Sequence, residues 1–191
     1  MMVLSAAVLT LGDARAGGLS KDQVYRMIET GELERVGRGV YVRPDRIDPA
    51  LVSIAAATAL HGRATMCLTS ALVHHDLSDA IPYETDIALP RGIRRPAGFD
   101  HVTWHSFDPA TFDIGRTPLG AEGALQMWVY SAERTIVDCF RLAHLEGQDV
   151  AHTALRRWVQ RRGSTPSDLL RVAAAFPRSE PRIRQALEVL L

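Results

Sequence analysis

The stretch that decides the reading is TLGDARAGGLSKDQVYRMIETGELERVGRGVYV, residues 10–42. At its centre Ser20 is a strong helix N-cap and Gly31 a strong stop, so residues 21–30 are expected to be helical. Around that helix Val24, Met27 and Ile28 gather on one side with Ser20, while Asp22, Gln23, Tyr25, Arg26 and Glu29 face away. One side packs and the other is free. Upstream, Thr10 caps a short helix over residues 11–16, and Gly17 and Gly18 end it in a tight turn. Downstream, residues 33–36 and 40–42 are β-prone runs joined through Gly37, Arg38 and Gly39, the pattern of a hairpin with an arginine at its tip.

Helix, turn, helix and hairpin in this order predict a winged helix-turn-helix over residues 1–45, a module whose second helix enters a DNA major groove. Ser20, Lys21, Gln23, Tyr25 and Arg26 are the candidate DNA contacts on that helix, with Gln23 suited to pair with adenine and Arg26 with guanine or phosphate. Arg38 at the hairpin tip, flanked by Arg35 and Arg43, completes the set. A competing reading is that any ten-residue helix ended by glycine has this look, and Asp22 and Glu29 would repel phosphate. The module's balanced charge predicts modest affinity, reinforced by a homodimer on DNA.

Over the whole chain, 22 basic residues balance 22 acidic ones, which excludes a uniformly basic nucleic-acid coat. With 47% hydrophobic residues the 191-residue chain has globular composition. Local charge is uneven: residues 151–184 hold eight arginines against Asp168 and Glu180. Within that run Arg156, Arg157, Arg161 and Arg162 form a candidate secondary basic face, with a solvated surface as the plainer reading. Residues 1–11 are apolar and Ala14-Arg15-Ala16 has a small-x-small look, but no cationic start is present, and Asp13 and Arg15 would stand beside the cleavage point, which disfavours a secretory signal. No apolar run reaches the roughly 18 to 20 residues a membrane span needs. The expectation is a soluble cytoplasmic protein with no membrane contact.

Arg43, Pro44, Asp45, Asp48 and Pro49 read as a linker, followed by a second domain over residues 50–191. Helices are expected over residues 51–60, 70–77, 132–145, 150–162, 166–176 and 181–191. Strands are expected over 85–89, 102–107 and 124–130, with turns over 90–98 and 115–123. The fold class is therefore α+β: an N-terminal winged helix-turn-helix, then a mixed α/β domain with a small sheet and C-terminal helices.

Ala14 to Ser20, then Val24-Tyr25-Arg26-Met27, Gly31-Glu32-Leu33 and Arg38-Gly39-Val40-Tyr41, resemble the N-terminal domain of the AbiEi antitoxin family. Ser70-Ala71-Leu72 with His75, Leu77, Ile81 and Pro82, followed by Glu133 to Asp138, resemble that family's C-terminal antitoxin domain. The resemblance implies a transcriptional autorepressor and antitoxin of a type IV toxin-antitoxin, or abortive-infection, pair. Such a protein binds operator repeats in double-stranded DNA and counters a nucleotidyltransferase-like toxin. The family has a full helix ahead of the segment matching residues 11–16, whereas only a short apolar run precedes it here; either that helix is short or the true start lies upstream. Two other readings stay open: a protein-interaction module whose winged helix makes no DNA contact, and a stand-alone regulator without a toxin.

Catalysis is not expected. Lys21 is the only lysine, which removes a P-loop lysine, a Schiff base anywhere else and any nuclease centre that pairs a lysine with Glu84 and Asp86. His74, His75 and Asp76, or His101 and His105, offer no ligand set at metal spacing, so neither metal nor cofactor is predicted. Cys67 and Cys139 sit in apolar runs that disfavour a thiolate. Arg134, Asp138 and Arg141, three or four residues apart on one helix face, are read as an internal salt bridge ahead of a toxin contact.

Overall fold

The computed structural model describes residues 6–122 and 125–191. It is an α+β structure whose first part is built on a three-stranded antiparallel sheet, with β1 (Val8–Thr10) and β2 (Glu34–Gly37) flanking β3 (Val40–Val42). Between β1 and β2 run α1 (Leu11–Ala16) and α2 (Lys21–Glu29). Thr10 and Asp13 form a reciprocal cap at the start of α1, as Ser20 and Gln23 do at α2. The turn between the helices needs Gly18, whose φ of +83° only glycine adopts without strain. Strand alternation gives the sheet two apolar faces. Leu9 and Tyr41 meet Ala14, Val24 and Leu33 under the two helices, while Val8, Val40 and Val42 point the other way.

That second face lies on α3 (Val52–Leu60), reached through two short 3-10 turns at Pro44–Arg46 and Pro49–Leu51. Ile54, Ala55, Ala56 and Ala57 are fully buried, because α3 is covered by a sheet on each side and its alanines let both approach closely.

The second sheet has five strands: β4 (Thr65–Met66), β5 (Thr85–Pro90), β6 (Val102–Phe107), β7 (Arg116–Glu122) and β8 (Leu125–Tyr130), in the order β6-β5-β4-β8-β7. The pairs β5–β6 and β4–β8 are parallel, the other two antiparallel. Its far face carries α4 (Leu68–His74), α5 (Ala132–Arg141), α7 (Gln148–Val159), α8 (Pro166–Ala173) and α9 (Glu180–Leu190) around Phe112, Tyr130 and Trp158, with the one-turn α6 (Ala143–Glu146) beside them.

The structure departs from the sequence expectations in places. Residues 8–10 of the apolar start are a strand, and its first five residues lie outside the described ones. The turn expected over 115–123 is instead β7 through Glu122, and residue 124 of the expected strand also lies outside. The helix expected over 70–77 begins at Leu68 and ends at His74, because Leu77 closes a following turn onto the carbonyl of Leu72.

Candidate nucleic-acid interface

On α2 Val24 is buried and Met27 and Ile28 half-buried, whereas Lys21, Gln23, Tyr25 and Arg26 are exposed. Lys21 Nζ lies 5.5 Å from the centre of the Tyr25 ring, one turn along the outward face. Ser20 and Gln23 are committed to structure: Ser20 Oγ accepts from the Gln23 backbone N–H at 3.2 Å, and Gln23 Oε1 accepts from the Ser20 backbone N–H at 2.7 Å. The adenine pairing expected of Gln23 needs both its amide oxygen and its amide NH2, so it would have to displace this cap. Lys21, Tyr25 and Arg26 are the candidate contacts left free on this face, which also carries the exposed acids Asp22 and Glu29.

The hairpin turns at Arg38 and Gly39, with a bulge between Arg35 and Gly37. Arg35 is exposed and its Nε donates to the Gly37 carbonyl at 3.3 Å. Arg38 is also exposed, but its backbone N–H donates to the carbonyl of Ala97, in the loop 91–101 between β5 and β6, at 3.0 Å. A Cβ on Gly37 would come within 2.6 Å of the Phe99 ring. The hairpin tip is therefore seated on the larger sheet's loop and does not project alone. Arg43 is half-buried and its Nε is enclosed without a hydrogen-bond partner among the described residues, which withdraws part of that side chain from the surface.

Residues 5–44, which hold both helices and the hairpin, match the family described as "Transcriptional regulator, AbiEi antitoxin". Through this segment the chain is similar to the AbiEi antitoxin family of transcriptional regulators. The match takes in 40 of the 191 residues. No curated protein matches the chain. The AbiEi segment thus ends at Pro44, where the first 3-10 turn begins.

Outside the AbiEi segment, the expected secondary basic face is divided. Arg157 forms a two-pronged pair with Asp79, whose carboxyl its hydrogen bonds hold below the usual range. Arg161 donates to the His75 carbonyl and lies 3.9 Å from Asp76. Only Arg156 and Arg162 of the four are exposed without a partner among the described residues. A separate groove of about 580 Å3 is lined by Arg91, Arg141, Arg178 and Arg182, with Asp108 the acid among its lining residues. Sequence reading missed this grouping, since its arginines come from distant segments.

Several polar groups outside this interface pair with one another or with backbone carbonyls. His105 Nε2 lies 2.9 Å from Asp86 Oδ1, and Ser70 Oγ accepts from the Asp86 backbone N–H at 2.8 Å while facing Asp86 Oδ2 at 3.4 Å. Serine and histidine both address the carboxylate and not each other, so the trio lacks the serine-to-imidazole hydrogen bond of a nucleophilic relay. His75 Nε2 donates to the Tyr130 carbonyl at 2.7 Å. His101 stands instead against Tyr83, with ring centroids 5.3 Å apart. Burial pushes the Cys67 and Cys139 thiols well up, away from the reactive thiolate. Among the described residues no three His, Cys, Asp or Glu are grouped to hold a metal ion, and no helix is long and apolar enough to cross a membrane.

Proposed function

We propose that the chain is a DNA-binding transcriptional autorepressor and antitoxin of a type IV toxin-antitoxin pair, acting by binding and without catalysis. In this reading β1, α1, α2 and the hairpin work as a winged helix-turn-helix, with α2 in the major groove and Arg38 on the flanking backbone. The observation that carries it is the free face of α2, where Lys21, Tyr25 and Arg26 stand exposed, within a segment matched by a regulator family. Operator repeats would seat two copies side by side, and the helical second part would oppose a nucleotidyltransferase-like toxin.

Fluorescence anisotropy on the gene's own promoter fragment and on scrambled DNA, across salt, tests this reading. Tighter promoter binding, lost in Arg26→Ala and weakened in Arg38→Ala, is the expected result; equal or absent binding would overturn it. The antitoxin half is tested by co-expression with the product of the neighbouring gene, where rescue of growth is expected.

A protein-interaction module without DNA contact is the second reading. It is favoured by Ile81 and Tyr83, which stand 96% and 82% exposed in the segment between α4 and β5.

A further inference from the structure

The loop between β5 and β6 carries Arg91, Arg94 and Arg95, all exposed, and no acid before Asp100. Its end is locked to the hairpin at three points. Arg38 donates its backbone N–H to Ala97. Gly98 has a φ of +79°, and a Cβ there would stand 3.0 Å from that same Arg38 nitrogen. The Phe99 ring covers Gly37 and meets Trp104 of β6 edge-on, with centroids 5.4 Å apart. Arg95 is two residues from Ala97, so their Cα atoms are within about 7 Å. Its guanidinium is steadied by Ser106 Oγ at 3.4 Å, while Arg94 has no hydrogen bond or ion pair among the described residues. Arg94 and Arg95 thus lie within three residues of the point where the loop docks on Arg38, and all three arginines are exposed.

An exposed, acid-free run of arginines docked beside another exposed arginine suits an extended anion, and a DNA duplex offers a charge about every 1.7 Å of its axis. We propose that the β5–β6 loop is a second arm of the DNA interface, in which Arg94 and Arg95 take backbone phosphates beside those met by Arg38. This rests on the DNA-binding reading above and adds to it a sequence-independent grip supplied by the larger sheet. No base contact is assigned to the arm, because docking on the hairpin tip places it beside the backbone flanking α2.

The test compares the full chain with the double variant Arg94→Ala/Arg95→Ala and with the charge-matched double Arg171→Ala/Arg184→Ala, whose arginines are paired with Asp168 and Glu180. Anisotropy is read on promoter and scrambled duplexes from low to high salt. The arm variant is expected to weaken both duplexes by the same factor, roughly tenfold near 0.1 M salt, and to flatten the salt slope by about 1 for each phosphate no longer gripped. Unchanged affinity and slope, in a protein where Arg26→Ala abolishes promoter preference, would overturn the arm and leave the DNA-binding reading standing. Equal losses in both doubles would overturn it too, by tracing the effect to overall charge. Failure of the unaltered chain to bind either duplex would instead defeat the DNA-binding reading itself, and the arm with it.

Discussion

Arg134 Nε lies 2.9 Å from Asp138 Oδ2 one turn along α5, with both side chains fully sheltered from solvent. The guanidinium also donates through Nη1 to the carbonyls of Thr111 at 2.7 Å and Ile114 at 2.6 Å, and lies 4.3 and 4.6 Å from the ring centres of Tyr130 and Phe176. Asp138 Oδ1 accepts from Arg141 at 2.9 Å. These residues anchor the segment before β7 to the helical layer, as an internal salt bridge should.

Removing one partner of a buried pair strands the other. Asp138→Ala is therefore expected to cost about 3 to 5 kcal/mol, seen as a lower urea midpoint. Arg141, whose side chain keeps 30% of its exposure, should cost no more than about 1 kcal/mol when replaced by alanine. Equal losses would show that the inner pair carries no special burden.

Ser20→Ala removes the hydroxyl that caps α2. A loss of about 1 kcal/mol is expected, and Ser20→Gly should be milder. If α2 is the DNA-reading helix, promoter affinity falls with helix order even though Ser20 need touch no base. Circular dichroism alongside anisotropy separates the two effects.

Gly37→Ala would drive a methyl group into Phe99, and the ring has Trp104 behind it. Overpacking of this kind costs about 1 to 3 kcal/mol. Pairing it with Phe99→Ala makes room, so the double variant should lose less than the sum of the singles. Strict additivity in thermal melts would refute the seating of the hairpin on this loop.

Cys67 and Cys139 should resist a thiol reagent in the native protein and react fully in denaturant. Their folded-state pKa values are raised, with burial the largest cause, so the thiols stay protonated in the fold after they would ionise in the unfolded chain. Their contribution is complete below the ordinary thiol value of about 8.5 and is lost as pH rises above it. The urea midpoint should fall through that range, and less steeply in Cys67→Ala.

Local signals made the first part of the fold legible. Both short helices announce themselves through Thr10, Ser20 and the glycines after them, and the hairpin through Gly37 and Gly39. What escaped the sequence depends on distant partners. Val8–Thr10 is a strand because Val40–Val42 lies beside it, and the two residues of β4 are one because β5 and β8 flank them. The β7 stretch looked like a turn for its Gly115, Pro118 and Gly120. It tolerates Pro118 because it is an edge strand, and a bulge falls between Pro118 and Gly120. In the candidate interface the outward face of α2 was readable from its wheel, and the Ser20-x-x-Gln23 spacing already carried the sign of a reciprocal cap that competes with base contact, whereas the seating of Arg38 on a loop some sixty residues away was not readable.

Helix α3, wedged between the two sheets, gives this chain a thermodynamic symmetry. Val8, Val40 and Val42 on one side and Ile87, Met127 and Val129 on the other belong to a single apolar cluster with it. A molecule that tightened the small sheet and a molecule that tightened the large one would both act on the same helix. By linkage, whatever one binding event does to the affinity of the other is returned in equal measure. If the DNA-binding reading holds, operator binding and whatever the larger part binds would then be two readings of one equilibrium.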